Sequence, residues 1–569
     1  MTTVADKEDG PPPAGFLSSL VDAATLTHAR AATWLALVAL VAFLPGFFQI
    51  PPIDRDEARF AQATRQMVET GDYVDIRFQD EVRYKKPVGI YWLQAAAVSA
   101  AGAVMGPKAH ETIAFYRIPS LIGAVGGVLL TYWVALAFVT RRAAFLAGLM
   151  MGTCVLLGVE ARLAKTDAML LFTTLAAIGV LARIYLAREA TDAERRWTWP
   201  LIFWTAMAAG VLLKGPLIAV FVGLPTLVLV ALERRARWLL QLRPGPGILW
   251  MLLLVLPWFL VIVAKTGTDF FQASVGDDLL KKVASGQESH GAPPGFYILL
   301  FFATFWPASI LAGLAAPGVW RQRREPEIKF LLAWLVPAWI VFEIFITKLP
   351  HYVLPLYPAI AILIAGRFDP PDLSQKVWLT RGSFWWFAGA LALAAAVVAV
   401  PLYLVGKPEF WAWPLAAAAV VAGFRAWWLY RADGAETSFL RAAAAAVLIA
   451  GAVYGIVVPA LGPLFPSATL AQVVRAADCD NPQVASVGFH EPSLVFLAGT
   501  RTRLAEAGEA ADFLKEGGCR LALVEAGQET AFARRADAIG LRVRRGARVE
   551  GINISGGRRV SIAVFRPAL

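Results

Sequence analysis

Long apolar blocks alternate with short polar loops through the first 464 residues of the chain. The blocks that start at Ala31 and Ser383 are typical, because each is a long apolar run without charged residues. A helix needs ~20 mainly apolar residues to cross a bilayer. The pattern therefore predicts a polytopic helical membrane protein, with apolar blocks that begin near residues 31, 88, 115, 143, 168, 199, 216, 247, 297, 328, 351, 383, 409 and 439.

Densely basic loops indicate which ends of the blocks lie in the cytoplasm, since cytoplasmic loops are enriched in lysine and arginine. An even number of blocks separates each dense loop from the next, so all of them can share that side. The dense loops are Arg141-Arg142, Arg195-Arg196, Arg234–Arg237 and Arg321–Arg324. The segments then placed outside are Arg162–Asp167, Lys214–Pro216, Lys265–Phe296, Lys348–Tyr352 and everything after about Phe465.

The block from Val88 to Met105 breaks this alternation. If the N-terminus is cytoplasmic, the first block ends outside near Pro51, and the block that ends at Arg141 must also start outside. We therefore predict that Val88–Met105 is a re-entrant or interfacial helix, which leaves about thirteen crossings and an external C-terminus. The alternative is that this block crosses the membrane and that the N-terminus is external.

The polar loop after the first block predicts a helix of its own. From Asp56 to Val68, apolar and charged residues alternate near helical spacing, a pattern typical of an amphipathic helix at the membrane surface. Gly71 is placed to end this helix. Residues 51–106 are thus predicted to be a first external loop that carries juxtamembrane helices.

After Pro466 the composition becomes mixed, and short β-like runs alternate with helical ones. Gly556-Gly557 is typical of a hairpin turn. The predicted strands are Val484–Phe489, Leu521–Val524 and Val560–Phe565, and the predicted helices are Ala505–Lys515 and Glu529–Ala538. We predict a disordered cytoplasmic tail over residues 1–30, a membrane domain over 31–464, and a small periplasmic α/β domain over 465–569.

Composition agrees with this division. Hydrophobic residues make up 58% and charged residues 17% of the 569 residues, against roughly 45–50% and 25% in soluble domains. The net charge of +11 would suggest nucleic acid in a soluble protein. Here the basic residues lie in short loops, which favours a role in topology, or attraction to lipid phosphates, and no nucleic-acid partner. Cys479 and Cys519 can form a disulfide if their region is periplasmic, a point left open here.

The richest charged cluster follows the first apolar block. Three carboxylates and two guanidiniums stand within six positions: Asp54, Arg55, Asp56, Glu57 and Arg59. The same loop ends with three more cations, Arg83, Lys85 and Lys86. A carboxylate that faces fixed cations suits phosphate chemistry, because the cations bind phosphate and the carboxylate takes a proton from a hydroxyl. The alternative is a solvated cap on the membrane helix.

Other external segments add polar groups with plain structural alternatives. Asp167 heads an apolar run and is also suited to cap a helix, while Lys348 and Tyr352 are also suited to anchor a helix at the interface. The five histidines are scattered, and no CxxC or HExxH pattern occurs, so spacing predicts no metal site. Asp54-x-Asp56 is a carboxylate pair that could hold a divalent ion, but such pairs are common.

The order of these motifs resembles a known family. Asp56-Glu57-Ala58-Arg59-Phe60, followed by Tyr84-Lys85-Lys86-Pro87, resembles the first periplasmic loop of the bacterial C-fold (GT-C) glycosyltransferases. The resemblance is to their lipid A aminoarabinose transferase-like members, within the protein O-mannosyltransferase superfamily. The same order continues through Arg117–Ser120, Ala161–Asp167, Lys348–Pro355 and Glu491–Phe496, and covers nearly the whole chain.

This resemblance implies a mainly α-helical GT-C fold with about thirteen spans. It also implies sugar transfer from an undecaprenyl-phosphate donor at the periplasmic face of the bacterial inner membrane. The family's catalytic acid corresponds to Asp56 and its second acid to Asp167. The residues expected to bind the lipid-linked phosphate are Arg59, Tyr84, Lys86 and Tyr352, to which we add Lys85 and Lys348 from the same loops.

Two positions depart from the family pattern. Lys85 stands where the family has a glutamate that has been linked to a metal ion, so we expect no metal there and no required cofactor, with a divalent metal as the alternative. Phe60 stands where tyrosine is common, which removes one hydroxyl from the expected phosphate pocket.

The sequence thus predicts an inverting glycosyltransferase that acts on lipid A or another envelope glycan. Alternatives are a protein O-mannosyltransferase-like enzyme, a polyprenyl-lipid transporter, and a non-catalytic scaffold with a periplasmic binding domain. A transporter is less favoured because it is expected to carry ionisable residues near mid-membrane. The loop Lys265–Phe296, rich in Gly and Pro, is predicted to cover the lipid cavity as a lid.

Overall fold

The computed structural model describes residues 15–186, 197–272, 291–368, 371–477, 479 and 481–568. Its first part is almost entirely helical, as the apolar blocks predict. The α-helices up to residue 460 are Phe16–Thr25, His28–Phe43, Asp56–Thr70, Gly89–Met105, Ile113–Ala135, Arg141–Gly152, Val155–Glu160, Asp167–Leu186, Thr198–Lys214, Leu217–Glu233, Pro244–Thr266, Asp269–Phe271, Phe296–Thr304, Ser309–Arg321, Pro326–Ile344, Tyr357–Ala365, Val377–Thr380, Phe384–Val405, Trp413–Trp428, Tyr430–Ala452 and Val458–Ala460.

Six of the described helical stretches are long and apolar enough to cross a membrane. Two helix pairs, bent by 120° and 119°, would bring the number to eight if each pair is one span, and three shorter apolar helices add to the same layer. The chain is a multi-pass membrane protein with a mainly helical fold. One of the six stretches is Gly89–Glu111, whose length and composition allow a crossing. Its re-entrant path and the count of thirteen therefore stay predictions.

The N-terminal tail is more ordered than expected. Residues 1–14 lie outside the described residues, but Phe16–Thr25 is a helix, so the prediction of disorder up to residue 30 is wrong from residue 16 onward. Val21 and Ala24, three positions apart, bury one face of this helix. Arg141 Nη1 donates hydrogen bonds to the Thr25 and Leu26 carbonyls, and Thr27 caps the next helix. These contacts give the short segment enough buried surface to fold.

The predicted amphipathic helix is present as Asp56–Thr70, here called the loop helix. Gly71 ends it in the left-handed region with φ of 71°, where glycine has no steric penalty. Phe60 and Met67 are buried against the neighbouring helix, and Thr64 Oγ1 donates to Gln94 Oε1 at 2.7 Å. The loop helix thus packs on Gly89–Met105, and a two-stranded hairpin, Arg77–Phe78 with Glu81–Val82, follows it.

Close helix packing positions the second acidic loop. A Cβ at Gly123 would lie 2.7 Å from the backbone of Ala168, so only glycine lets these two helices meet. Ser120, one turn earlier on the same helix, donates its hydroxyl to the Lys165 carbonyl at 3.1 Å. The helix Ile113–Ala135 therefore fixes the chain just before Asp167.

The C-terminal domain is a five-stranded mixed sheet flanked by helices, as predicted. The predicted turn at Gly556-Gly557 joins the last two strands, which pair antiparallel. Across the sheet the strands follow the order Arg503–Leu504, Gln483–Val487, Arg520–Glu525, Arg558–Pro567 and Val543–Asn553, and the first three are parallel. The helices are Pro466–Arg475, Pro492–Ala498, Ala507–Lys515 and Glu529–Ala538. Cys479 and Cys519 form a disulfide with their Cα atoms 5.7 Å apart.

Most of the predicted lid, residues 265–296, lies outside the described residues. Its described ends are the helix end at Thr266, the short turn Asp269–Phe271 and the segment from Gly291. The lid function stays a prediction.

Candidate active site

A buried ion pair holds the start of the loop helix. Arg117 Nε and Nη2 donate to the two carboxylate oxygens of Glu57 at 2.8 and 2.9 Å, and both side chains are shielded from solvent. The other guanidinium protons go to backbone carbonyls of Phe47, Ile50 and Pro51. Such bidentate arginine–carboxylate contacts fix the relative orientation of the two side chains and also pair their charges.

The same carboxylate joins the two acidic loops. Glu57 Oε1 accepts from the backbone N–H of Ala164 at 2.9 Å, and Oε2 accepts from that of Ile53 at 2.9 Å. Asp56 precedes Glu57 and Lys165 follows Ala164, so the bond brings the two predicted acidic loops together. Asp56 consequently contributes to the electrostatic field at Lys165.

Asp56 is the first residue of the loop helix, and its side chain is exposed. Within the described residues, no hydrogen bond occupies its carboxylate. The residue before it, Arg55, has φ of 71° and ψ of −116°, a conformation that costs energy for a residue with a Cβ. Arg55 Nη2 donates to the Ser555 carbonyl at 2.6 Å, so the C-terminal domain holds this strained residue.

Asp54 makes a second contact to the C-terminal domain. Its carboxylate accepts from the Ser493 backbone N–H at 3.1 Å. Burial raises the pKa of Asp54 to about 6, and the nearby Glu491 carboxylate adds to the increase against the lowering effect of the Ser493 hydrogen bond. Asp54 and Arg55 are therefore both attached to the C-terminal domain.

Asp167 lies in a second, buried charged cluster. It is the first residue of Asp167–Leu186 and forms an ion pair with Lys214. Lys165 Nζ lies 3.5 Å from Asp167 Oδ2 and 2.9 Å from Glu160 Oε1. His351 Nε2 lies 3.7 Å from Asp167 Oδ1. Three separate segments therefore meet at Asp167: residues 160–167, the helix end at Lys214 and the segment of His351.

The cluster shifts the ionisation of its members. Glu160 is buried, and its carboxylate forms an ion pair with Lys165. Burial lowers the pKa of Lys165, but the carboxylates of Glu160, Asp167 and Asp56 outweigh burial and leave it above its usual value. Lys165 is thus held as a cation beside the candidate acids.

The predicted phosphate ligands are placed unequally. Arg59 is half-buried and Lys85 exposed, and neither side chain has a hydrogen bond or ion pair within the described part of the chain. Lys86 is half-buried. Tyr352 packs beside the candidate cluster, with Lys214 Nζ 5.6 Å from its ring centre. These positions leave Arg59 and Lys85 able to meet an anion.

Two of the predicted phosphate ligands, Tyr84 and Lys348, donate their hydrogen bonds to other protein groups. Tyr84 is buried and donates its hydroxyl to Asp75 Oδ1 at 2.8 Å, and burial followed by that contact raises its pKa. Lys348 is buried, and its ammonium donates to the carbonyls of Phe342, Glu343 and Phe345 at 3.2, 2.7 and 2.8 Å. All three of its protons are used to cap the end of a helix, so the structure gives Lys348 a structural role instead.

Glu160 is the site residue that the sequence analysis missed. It ends the short helix Val155–Glu160, and its signal was a lone carboxylate in an apolar run. An ionisable residue inside an apolar run is expensive and is commonly functional. Lys214 and His351 were noticed only as isolated polar residues, because nothing in the sequence shows that their helices end beside Asp167.

Two positions in the protein bear on metal binding. The family position at Lys85 carries an ammonium, which is not a metal ligand, so these residues do not fit a metal there. Among the described residues, the three groups that could share an ion are Glu160, Asp167 and His351, whose ligand atoms lie within 4.8 Å of one another. Asp54 and Asp56 are not part of this group.

Comparison of sequences finds one matching family model and several similar proteins. The family model of dolichyl-phosphate-mannose-protein mannosyltransferases matches residues 34–267. The undecaprenyl phosphate-alpha-4-amino-4-deoxy-L-arabinose arabinosyl transferase of Pectobacterium carotovorum is 27% identical, over 65% of this chain and 65% of its own. The Aeromonas hydrophila protein of the same name is 29% identical, over 56% of this chain and 58% of its own. The chain thus spans less than two thirds of the length of these relatives.

Solved structures share the fold over nearly all of the chain. The crystal structure of ArnT from Cupriavidus metallidurans bound to undecaprenyl phosphate aligns with a TM-score of 0.74 at 19% identity, covering 93% of this chain and 97% of that one. The oligosaccharyltransferase AglB from Archaeoglobus fulgidus, in complex with an inhibitory peptide and a dolichol-phosphate, aligns with 0.50 at 11% identity, covering 91% and 69%. By sequence the chain is therefore similar to the undecaprenyl phosphate aminoarabinose transferases, and it shares the fold of the ArnT structure.

Proposed function

We propose that this protein is an inverting glycosyltransferase that moves a sugar from undecaprenyl phosphate to lipid A or another envelope glycan. The observation that carries the proposal is the joining of two loops by Glu57. This contact joins the loop of the exposed Asp56 to the loop of the buried Lys165, whose ammonium feels the Asp56 charge. The site therefore combines a carboxylate that can accept a proton with fixed positive charge.

The chemistry follows from these charges. Asp56 orients the acceptor hydroxyl and takes its proton as the acceptor oxygen attacks the anomeric carbon. The bond from that carbon to the phosphate oxygen breaks, and the electron pair leaves with the polyprenyl phosphate. Arg59, Lys85 and Lys86 stabilise the negative charge that develops on this leaving group. Attack from the side opposite the phosphate inverts the anomeric centre.

The donor class is supported by the named relatives. Two of them are named as undecaprenyl-phosphate aminoarabinose transferases, and the structure with the same fold holds undecaprenyl phosphate. We propose a donor of that class, with aminoarabinose or a related pentose, hexose or uronic sugar as the transferred group. Asp167 and Tyr352 are proposed to complete the site next to Lys214.

The location is proposed on two grounds. The disulfide between Cys479 and Cys519 suits an oxidising compartment such as the periplasm. Arg142 lies in one of the dense basic loops. Its guanidinium pairs with Glu436 and donates to Ser18 of the N-terminal helix, away from the charged site. Under the positive-inside rule this arrangement favours the inner membrane, with the site and C-terminal domain on the periplasmic side.

The direct test compares cells with and without the protein. Mass spectrometry of lipid A and of undecaprenyl-phosphate sugars should show that one glycan substituent disappears in the deletion strain while a matching lipid-linked sugar accumulates. Glycopeptide analysis of periplasmic proteins is the parallel measurement. A change confined to periplasmic proteins would favour the O-mannosyltransferase-like alternative. No change in lipid A, in the undecaprenyl-phosphate sugars or in the periplasmic proteins would contradict the proposal.

A further inference from the structure

Three ligand-type groups converge on the Lys165 ammonium. Lys165 Nζ lies 2.9 Å from Glu160 Oε1, 3.3 Å from His351 Nδ1 and 3.5 Å from Asp167 Oδ2. An ammonium has no acceptor, so His351 Nδ1 must present its lone pair to Lys165. An imidazole nitrogen with a free lone pair and ionised carboxylates are the forms in which these side chains bind metal ions.

The same three groups have the composition of a divalent-metal site. Imidazole nitrogen and carboxylate oxygen are common ligands of Zn²⁺, and their atoms here lie within 4.8 Å of one another. Glu160 Oε2 is buried and has no hydrogen-bond partner within the described residues, which leaves one further acceptor in the cluster. Glu160 itself is 3% exposed.

Lys165 fills this site as a metal ion would. Its Nζ atom lies within 3.5 Å of one ligand atom from each of the three groups, and its charge offsets the buried carboxylates. A divalent ion in the same place would meet the ammonium at contact distance in surroundings that screen charge poorly. Lys214, which also pairs with Asp167, would add to that repulsion. The site can therefore hold Lys165 or a metal ion, but not both.

We infer that the Lys165 ammonium is a built-in cation that replaces a divalent metal at Glu160, Asp167 and His351. Removal of its side chain would then create a Zn²⁺ site from residues that are already in place.

The inference also gives Lys165 a part in the transfer reaction, and this part rests on the proposed function. Lys165 is a positioning residue, which holds Glu160 and Asp167 in place and places positive charge near Asp56. It touches no substrate in this account. The proposed enzyme should accordingly work at full rate with all divalent metal removed.

The test is metal binding by the full-length protein in detergent, purified through a tag without histidines. Wild type, Lys165→Ala and Lys165→Met are incubated with Zn²⁺, desalted, and analysed for metal content. We expect no bound Zn²⁺ in wild type and one equivalent in Lys165→Ala. Lys165→Met should bind none, because the methionine side chain fills the space that a metal ion would need. Adding His351→Ala to Lys165→Ala should weaken binding by at least about 10-fold.

Two results would overturn the inference. One is stoichiometric Zn²⁺ in wild type that is lost in His351→Ala, and this arm needs no Lys165 variant to fold. The other is a Lys165→Ala protein that elutes as a single folded species but binds no Zn²⁺. A Co²⁺ absorption spectrum of Lys165→Ala provides an independent signal, since nitrogen and oxygen ligation changes its visible bands.

An activity arm separates this inference from the proposed function. Wild-type transfer should be unchanged by EDTA, and Lys165→Ala should lose activity and regain part of it with Zn²⁺. Wild type that is stimulated by a divalent ion and inhibited by EDTA would contradict the inference but leave the transferase proposal intact. Wild type without transfer under any condition would contradict the proposed function, while the metal-binding result would still decide the status of Lys165.

Discussion

Asp54 shows how a single residue near the site links ionisation to stability. Its pKa rises from 3.8 to about 6 in the folded protein because burial disfavours the charged form. The folded state therefore binds a proton more readily than the unfolded state between these two values, and stability falls as the pH rises through that window. Above about pH 6 the full free-energy cost of burying the charged Asp54 carboxylate is present, and below about pH 4 it is absent.

We predict that Asp54→Asn stabilises the protein at pH 7.5, by at most about 3 kcal/mol, because Asn accepts the Ser493 hydrogen bond without carrying charge. Thermal unfolding in detergent from pH 4 to pH 8 measures this effect, and the decline in wild-type stability between pH 4 and pH 6 should flatten in the variant. Asp72→Asn is a control of opposite sign, since hydrogen bonds from Lys265 and two backbone amides outweigh burial and lower the pKa of Asp72. A steeper profile for Asp54→Asn would contradict the assignment.

At the scale of helices and strands, the periodicity of apolar residues predicted the elements most dependably. The loop helix was predicted from alternating charged and apolar residues and ends at Gly71 as expected. The central strands and the Gly556-Gly557 turn of the C-terminal domain were also correct. The edge strand Val543–Asn553 was missed because its charged side chains are mostly exposed, so no apolar alternation marks it.

The candidate site was less predictable than the elements. Asp56, Arg59 and Asp167 are candidates because their residue types follow a family order, and their roles stay predictions. The capping role of Lys348 depends on carbonyls that only the folded helix end presents. The grouping of Glu160 with His351 joins residues about 190 positions apart, and such contacts leave no local pattern in one sequence.

The segment that contains the loop helix and the hairpin after it contacts the C-terminal domain at several points. Besides Arg55, Arg65 donates to the Phe496 carbonyl at 2.7 Å, and Gln79 donates to the carbonyls of Thr500 and Thr502 at 2.9 and 2.5 Å. We infer that this docking maintains the strained backbone before Asp56. Without such contacts a conformation like that of Arg55 would relax.

Arg55→Ala and Arg55→Gly separate backbone strain from side-chain contact. Both lose the bond to Ser555, but only glycine adopts a positive φ without penalty. We predict that Arg55→Gly is more stable than Arg55→Ala by about 1 kcal/mol and retains more of the wild-type kcat. Thermal unfolding and initial transfer rates measure the two effects. Equal losses in both variants would show that the backbone conformation at this position has no consequence.

At the scale of the whole molecule, the disulfide closes a separation of 40 residues within the C-terminal domain. We predict that Cys479→Ser with Cys519→Ser destabilises this domain by about 2–4 kcal/mol. Limited proteolysis should then cleave the C-terminal domain before the membrane domain. Thiol alkylation of denatured, unreduced wild type provides the control: only Cys154 should react, and labelling of all three cysteines would contradict the disulfide.

The central claim is that Asp56 performs glycosyl transfer from a polyprenyl-phosphate donor, and transfer by Asp56→Asn tests it most directly. The assay uses membranes that contain equal amounts of inserted wild type, Asp56→Asn or the control Asp80→Asn, an exposed acid of the same loop. The account predicts that Asp56→Asn inserts normally but loses at least about 100-fold in transfer rate, while Asp80→Asn keeps wild-type activity. Full activity in membranes that carry Asp56→Asn would contradict the account.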